Sequence, residues 1–299
     1  MTVTPLRKVQ PMVKANHKKT LPLFERIGDV RARTAAELPE LCELGAECVK
    51  TIRKAKNIET VEIKYKTREY IVLRARVGKS IMTTRPVRKD LFIWDEDRSK
   101  ALIQEVRMVP WDPAKSDSLE RLIYTMQQAI AMYLDLFHKD AAPRVVGTFF
   151  EAVIACALNL VSGLVVVSGT VRIPDSNESI RTDLGLQREA KVILLAATKT
   201  STRERLSQPF VQKRILDQTL TNPPKSILIV VGDLQRLGAD GVQHTFTAGQ
   251  FLLYWKYIAN LDGVYYIDVP PQAESKTFGG LIKRLQELFR TDLDALLSG

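Results

Sequence analysis

The sequence predicts an α/β protein: a central mixed β-sheet flanked by helices, preceded by a mostly helical N-terminal region. Three observations lead there. After Pro143 the segments read in the order αβββαβαβα. Two of the strands are joined by the short polar turn "QREA", so they pair as a hairpin, while later strands are separated by helices and must cross over. Strands such as "SILIVVGD" are apolar on both sides, which requires cover on both faces of the sheet.

The elements follow in chain order. Residues 21–60 have the apolar spacing of helices, clearest in "LPELCELGAECVKTI". "VEIKYKTREYIVLRARV" alternates apolar and charged residues around "KTRE", a hairpin with one wet face. Leu119–Phe137 is helical, and "HKDAAP" ends that pattern at Pro143. A soft boundary there separates an N-terminal region, 1–142, from a C-terminal core, 143–299. Arg144–Val161 is a helix apolar nearly all round and therefore buried. "GLVVVSGTV", "IRTDLGL" and "KVILLAATK" are three strands. A helix at about Pro209–Leu220, the strand "SILIVVGD", a helix at Ala248–Asn260, the strand "GVYYIDV" and a closing helix at Phe278–Leu297 complete the chain. The apolar content of that last helix suits either core or a dimer seam.

Composition excludes several classes. The chain has 299 residues and a net charge of +10, a surplus that favours a polyanionic partner. Met1–Thr20 carries Arg7, Lys8, Lys14, Lys18 and Lys19, no acid, and no apolar run of the signal-peptide kind. The best apolar stretch, Val145–Val167, is interrupted by Glu151, Asn159, Ser162 and Gly163, so no membrane span is expected. Cys42, Cys48 and Cys156 lack C-x-x-C spacing, and His17, His138 and His244 lie far apart, which argues against a disulfide frame and a thiolate zinc site. A reducing, cytoplasmic location is the simplest expectation. "VGKS" at Val77–Ser80 lacks the first P-loop glycine, which would fall at Leu73, so no nucleotide cofactor is indicated. "DGVQH" lacks the makings of a hydrolase triad, and Trp94, Trp111 and Trp255 read as core or interface residues.

The informative residues are polar ones inside apolar elements. Glu151 sits in "GTFFEAVIACAL", where a carboxylate is costly unless a cation or hydrogen bonds meet it. Asp183 lies early in the second strand of the core, and Lys199 ends the third, across the hairpin. Two carboxylates and an ammonium at one sheet end would suit Mg²⁺, which takes one or two carboxylates plus water and phosphate. Each residue also has a plainer reading. Lys199 could be a solvated strand end, Asp183 could cap a turn, and Glu151 could pair with Arg144 or Arg181.

The order α(Glu)–β–β(Asp)–β(Lys)–α–β, with the runs "GTFFEAV", "RTDLGL" and "ATKTSTRER", resembles the PD-(D/E)XK nuclease core. It is similar to type II restriction endonucleases, nearest to those that cut CCGG or CCNGG sites. The likeness spans about Arg144–Val231 and implies a restriction endonuclease-like fold, Mg²⁺ as cofactor, double-stranded DNA as substrate and a homodimer matched to a palindrome. It implies metal binding by Asp183 and Glu151 and a catalytic Lys199. Base reading would fall to Arg203 and Glu204, four and five residues past that lysine, with Arg205 beside them. The sequence departs from the pattern at Ala197, where the family triplet has an acid. It departs again at Gln212, thirteen residues after Lys199, where the CCGG-like group supplies an acid from the next helix. Asp175 in "IPDSN" rivals Asp183, though Pro-Asp-Ser-Asn reads as a turn. "STRE" from Ser201 also fits a helix-capping box, weakened by Pro209. Two other expectations therefore stand beside a site-specific nuclease. One is a DNA-binding protein that has lost catalysis; the other is a repair or junction nuclease.

Overall fold

The structure is a computed structural model, and it describes residues 10–77, 80–106, 110–138, 142–174, 176–203, 205–237 and 241–298. The N-terminal region opens with helices α1 (Gln10–Gly28) and α2 (Leu38–Lys54). Strands β1 (Ile58–Tyr65) and β2 (Arg68–Val77) form the expected hairpin, extended by β3 (Ser80–Thr83) and β4 (Val87–Arg88) on β2. Helices α3 (Glu96–Val106), α4 (Ser116–Phe137) and α5 (Ala142–Ser162) follow. By length and composition alone Arg144–Ser162 could cross a membrane, since its polar interruptions are too few to exclude it; here it packs in the core.

The central sheet has six strands in the order β12-β11-β8-β7-β6-β5. Strands β5 (Val165–Arg172), β6 (Ser179–Arg188) and β7 (Lys191–Lys199) are antiparallel. From β7 onward, β8 (Lys225–Gly232), β11 (Gly263–Asp268) and β12 (Lys283–Arg284) run parallel. This is the mixed sheet that the hairpin and crossovers require. Alternation along the strands sends Leu194, Ala196, Ile227, Ile229 and Tyr265 to a core shared with α2, α4 and α5. Ala197, Leu228, Val230 and Tyr266 face the opposite way, toward α6 (Ser207–Thr219) and α7 (Ala248–Tyr257). The first core runs from Ile27 to Leu293 and thus across position 142/143.

Two parts of the chain differ from expectation. The closing helix does not begin at Phe278. Gly279 and Gly280 adopt positive φ, 48° and 81°, which ends the turn there, and β12 is laid down before helical structure resumes at α8 (Leu285–Glu287). It continues through a π-type turn, Leu288–Asp292, into α9 (Leu293–Ser298). Leu285, Leu288, Phe289 and Leu293 are buried in the main core of this chain. A second hairpin, β9 (Leu234–Leu237) with β10 (Gly241–His244), follows β8 where the sequence shows little alternation.

A register shift matters for the site. Val167 pairs with Gly185 and Gly169 with Thr182, so Asp183 and Leu184 together stand opposite Ser168. This is a bulge on β6, the kind of irregularity that re-aims a side chain. A Cβ on Gly169 would lie 2.4 Å from Thr182 Cγ2 and 2.5 Å from the Leu184 carbonyl, so the two strands meet there at glycine distance.

Candidate active site at the carboxyl end of the sheet

Strands β7, β8 and β11 are parallel and end together, at Lys199, Gly232 and Asp268. Open α/β sheets offer their binding crevice at this end. The bulge on β6 aims Asp183 at the end of β7. Its Oδ2 accepts the Thr198 N–H at 2.7 Å, a bond that takes over where main-chain pairing stops at Leu184 and Ala196. The same oxygen accepts from Lys199 Nζ at 2.7 Å, and both side chains are largely buried. Lys199 is therefore no solvated strand end, and Asp183 caps no turn.

Glu151 comes from α5. Burial raises its carboxyl above the ordinary value, and the charge of Asp183 raises it further; Lys199 and then Arg33 pull it down. Glu151 thus shares an electrostatic field with the Asp183–Lys199 pair. Among the described residues it forms no ion pair with Arg144 or Arg181. No cluster of three or more potential ligands occurs among the described residues. Two repelling carboxylates, one held up by burial and by the other's charge, fit a hard divalent cation such as Mg²⁺ that fills its remaining positions with water and phosphate.

Gln212 lies on α6, and its Nε2 donates to the Arg181 carbonyl at 2.6 Å. It ties α6 to β6 two residues before Asp183, and that amide donor is committed. Asp175 and Glu204 lie outside the described residues. Arg203 and Arg205 are exposed on the turn after β7, and Arg203 Nη1 donates to Gln235 Oε1 of β9 at 3.2 Å.

The capping-box reading of Ser201 turns on Glu204, outside the described residues; among those described, the next helix, α6, begins at Ser207, and Pro209 falls in its first turn, where a missing N–H costs little. Ser201 Oγ accepts the Arg203 N–H at 3.3 Å and donates to Asp233 Oδ1 at 2.9 Å. Asp233 is fully buried and also accepts the Thr202 N–H (2.6 Å), Thr202 Oγ1 (2.7 Å) and the Tyr266 hydroxyl (2.9 Å). This carboxylate pins the turn that carries Arg203, and sequence reasoning missed it. Its only signal was an acid at the end of the apolar strand "SILIVVGD". A second buried acid, Asp268, accepts from Arg68 (3.0 Å) and Arg88 (2.8 Å) and docks the β1–β2 hairpin onto the sheet end.

A mixed sheet with helices on both faces, an Asp–Lys pair on its central hairpin and a Glu on the preceding helix define the class: the chain has the restriction endonuclease fold. The solved structure of the type IIP restriction endonuclease Kpn2I aligns with a TM-score of 0.68 at 20% identity, over 96% of this chain and 98% of that one. The complex of the restriction endonuclease PspGI with its substrate DNA aligns at 0.40 and 13% identity, over 68% of this chain and 93% of that one, a likeness too slight to carry weight. No family model and no curated protein matches the sequence. The resemblance read from "GTFFEAV", "RTDLGL" and "ATKTSTRER" is thus borne out at the level of fold.

Proposed function

We propose that this protein is a Mg²⁺-dependent type II restriction endonuclease, hydrolysing both strands of DNA at a short palindromic site of CC/GG type within a restriction–modification system. One observation carries the reading: on this fold, the bulge and the β7 end bring Asp183 and Lys199 to 2.7 Å, with Glu151 in the same field. Asp183 and Glu151 would hold the ion. A bound Mg²⁺ would lower the pKa of a water and polarise the phosphoryl group. Lys199 places an ammonium where charge grows on the phosphoryl oxygens and orients the attacking water. Gln212 holds the β6 main chain that carries Asp183.

Recognition belongs to the turn pinned by Asp233. Arg203 offers paired donors to guanine O6 and N7, Glu204 accepts from cytosine N4, and Arg205 meets a phosphate or a second guanine. Lysines of the N-terminal arm, Met1–Thr20, add salt-sensitive affinity that ignores sequence. A palindrome is read most economically by a two-fold dimer, so the working unit is a cytoplasmic homodimer.

The test is incubation with plasmid DNA and Mg²⁺, followed by sequencing of fragment ends. Discrete fragments with one shared end sequence support the reading, and Lys199→Ala should abolish them while DNA retention persists. Retardation without cutting would favour a binding protein, the reading that Ala197 and Gln212, neither of them an acid, favour. Ends without a shared sequence would favour a repair or junction nuclease.

A further inference from the structure

The N-terminal region sends a charge toward Glu151. We infer that Arg33, on the segment between α1 and α2, binds a DNA backbone phosphate next to the one cleaved; the inference rests on the nuclease reading above. Helix α5 turns Thr148, Glu151, Ala152 and Ala155 to one side, at the spacing of a single helical face. Residues 30–33 lie across from them. Between the two is an open cleft of about 270 Å³ that reaches Leu184, the neighbour of Asp183. The two alanines leave it room.

The segment carrying Arg33 is fixed without using the Arg33 side chain. Glu37 Oε2 accepts the N–H groups of Arg33 and Thr34, each at 2.9 Å, and the Thr34 hydroxyl at 2.9 Å. The Ala35 N–H donates to Asn159 Oδ1 of α5 at 2.8 Å, and Ala32 is buried. Arg31 Nη1 donates to the Gly28 and Val30 carbonyls, at 3.0 and 2.6 Å, which folds that side chain back on its own segment. The Arg33 guanidinium is exposed and, among the described residues, makes no hydrogen bond or ion pair. Arg33 is thus a cation on a rigid mount, beside a cleft whose other wall is a catalytic-site carboxylate. A guanidinium in that position presents a planar fork of donors that matches two phosphoryl oxygens. The ligand class is a phosphodiester. With Lys199 and Asp183 at the scissile group, the phosphate within reach of this cleft is a flanking one.

The experiment uses the full chain and short duplexes bearing the site recovered from fragment ends, each with one neutral methylphosphonate at a chosen backbone position. Binding is measured in EDTA across salt, and single-turnover cleavage in Mg²⁺. For Arg33→Gln, binding should weaken alike on cognate and unrelated duplexes, and the log–log salt slope should become shallower by about one. Wild-type protein should lose affinity at one neutral linkage flanking the cut, where Arg33→Gln loses nothing further, and Arg33→Lys should recover part of the loss. An Arg33→Gln protein with the wild-type salt slope and linkage profile overturns the assignment. So does a variant whose only change is a lower melting temperature without DNA, which would make Arg33 a structural residue. Wild-type protein that neither retains nor cuts DNA sinks the nuclease reading itself and this inference with it.

Discussion

Replacing Asp233 with alanine should destabilise the protein and blur its choice of DNA site together. The carboxylate is fully buried and accepts four hydrogen bonds, from Ser201 Oγ, the Thr202 N–H, Thr202 Oγ1 and the Tyr266 hydroxyl. Alanine strands the Thr202 N–H and the Thr202 hydroxyl proton in surroundings that are nearly dry, since Thr202 is 2% exposed, and leaves the Tyr266 hydroxyl only a long bond to Thr202 Oγ1 at 3.4 Å. A buried donor left unmatched costs about 1–3 kcal/mol. Two such donors, offset by the relief of no longer burying a charge, give a net loss of about 3 kcal/mol. At about 2.1 cal/mol/K per residue, that lowers the melting temperature by roughly 5 °C for a chain of this length. An asparagine at this position would behave differently. Its carbonyl oxygen can keep the bonds from Ser201 Oγ and the Thr202 N–H, and its amide can donate to the two other hydroxyls, which rotate to accept. Asp233→Asn should therefore lose about 1 kcal/mol. Calorimetric melting of the three proteins, with cleavage of matched and single-mismatch sites, measures both effects. If Asp233→Ala melts within about a degree of wild type, against the several degrees expected, the claim that this acid holds the Arg203 turn is refuted.

Two further outcomes follow from the same geometry. Arg203→Ala should lose about 1–3 kcal/mol of discrimination at one G·C pair while the rest of the site is still required; undiminished selectivity across a panel of altered sites would remove Arg203 from the reader. Glu151→Gln should raise the melting temperature of the metal-free protein at pH 8. The folded carboxyl is raised above its unfolded value, so the folded state binds more protons between the two values and wild-type stability falls as pH rises through that window. The variant's advantage should shrink at pH 4, below the usual glutamate range, and Mg²⁺ should stabilise wild type but not the variant. Equal melting at both pH values would show that Glu151 bears no strain.

The parts of the site that the sequence reveals are those that break a local pattern. Glu151 interrupts an apolar helix, and Asp183 and Lys199 mark a hairpin whose two arms must lie side by side, so their nearness is legible, while the bulge that aims Asp183 at Lys199 is not. Asp233 breaks a pattern too, but its partners lie 31 to 33 residues away on either side, and nothing local specifies them. Arg33 sits in an irregular segment whose shape depends on a capping interaction with Glu37 and a bond to Asn159 from a helix 124 residues distant. The expected closing helix is too long because its apolar spacing outweighs the Gly279–Gly280 pair, and a strand of only two residues, β12, leaves no periodicity to read.

Gly169 has no chemistry of its own, yet its position is as restrictive as that of the acid it faces. A single methyl group there would press on the two residues that bracket Asp183, one through its side chain and one through its main-chain oxygen. The hydrogen atom at position 169 is what lets β6 buckle, and the buckle decides where the carboxylate points. Random substitution would therefore find activity lost at a residue that touches neither ion nor nucleotide, with the charged groups all still present and merely mis-aimed.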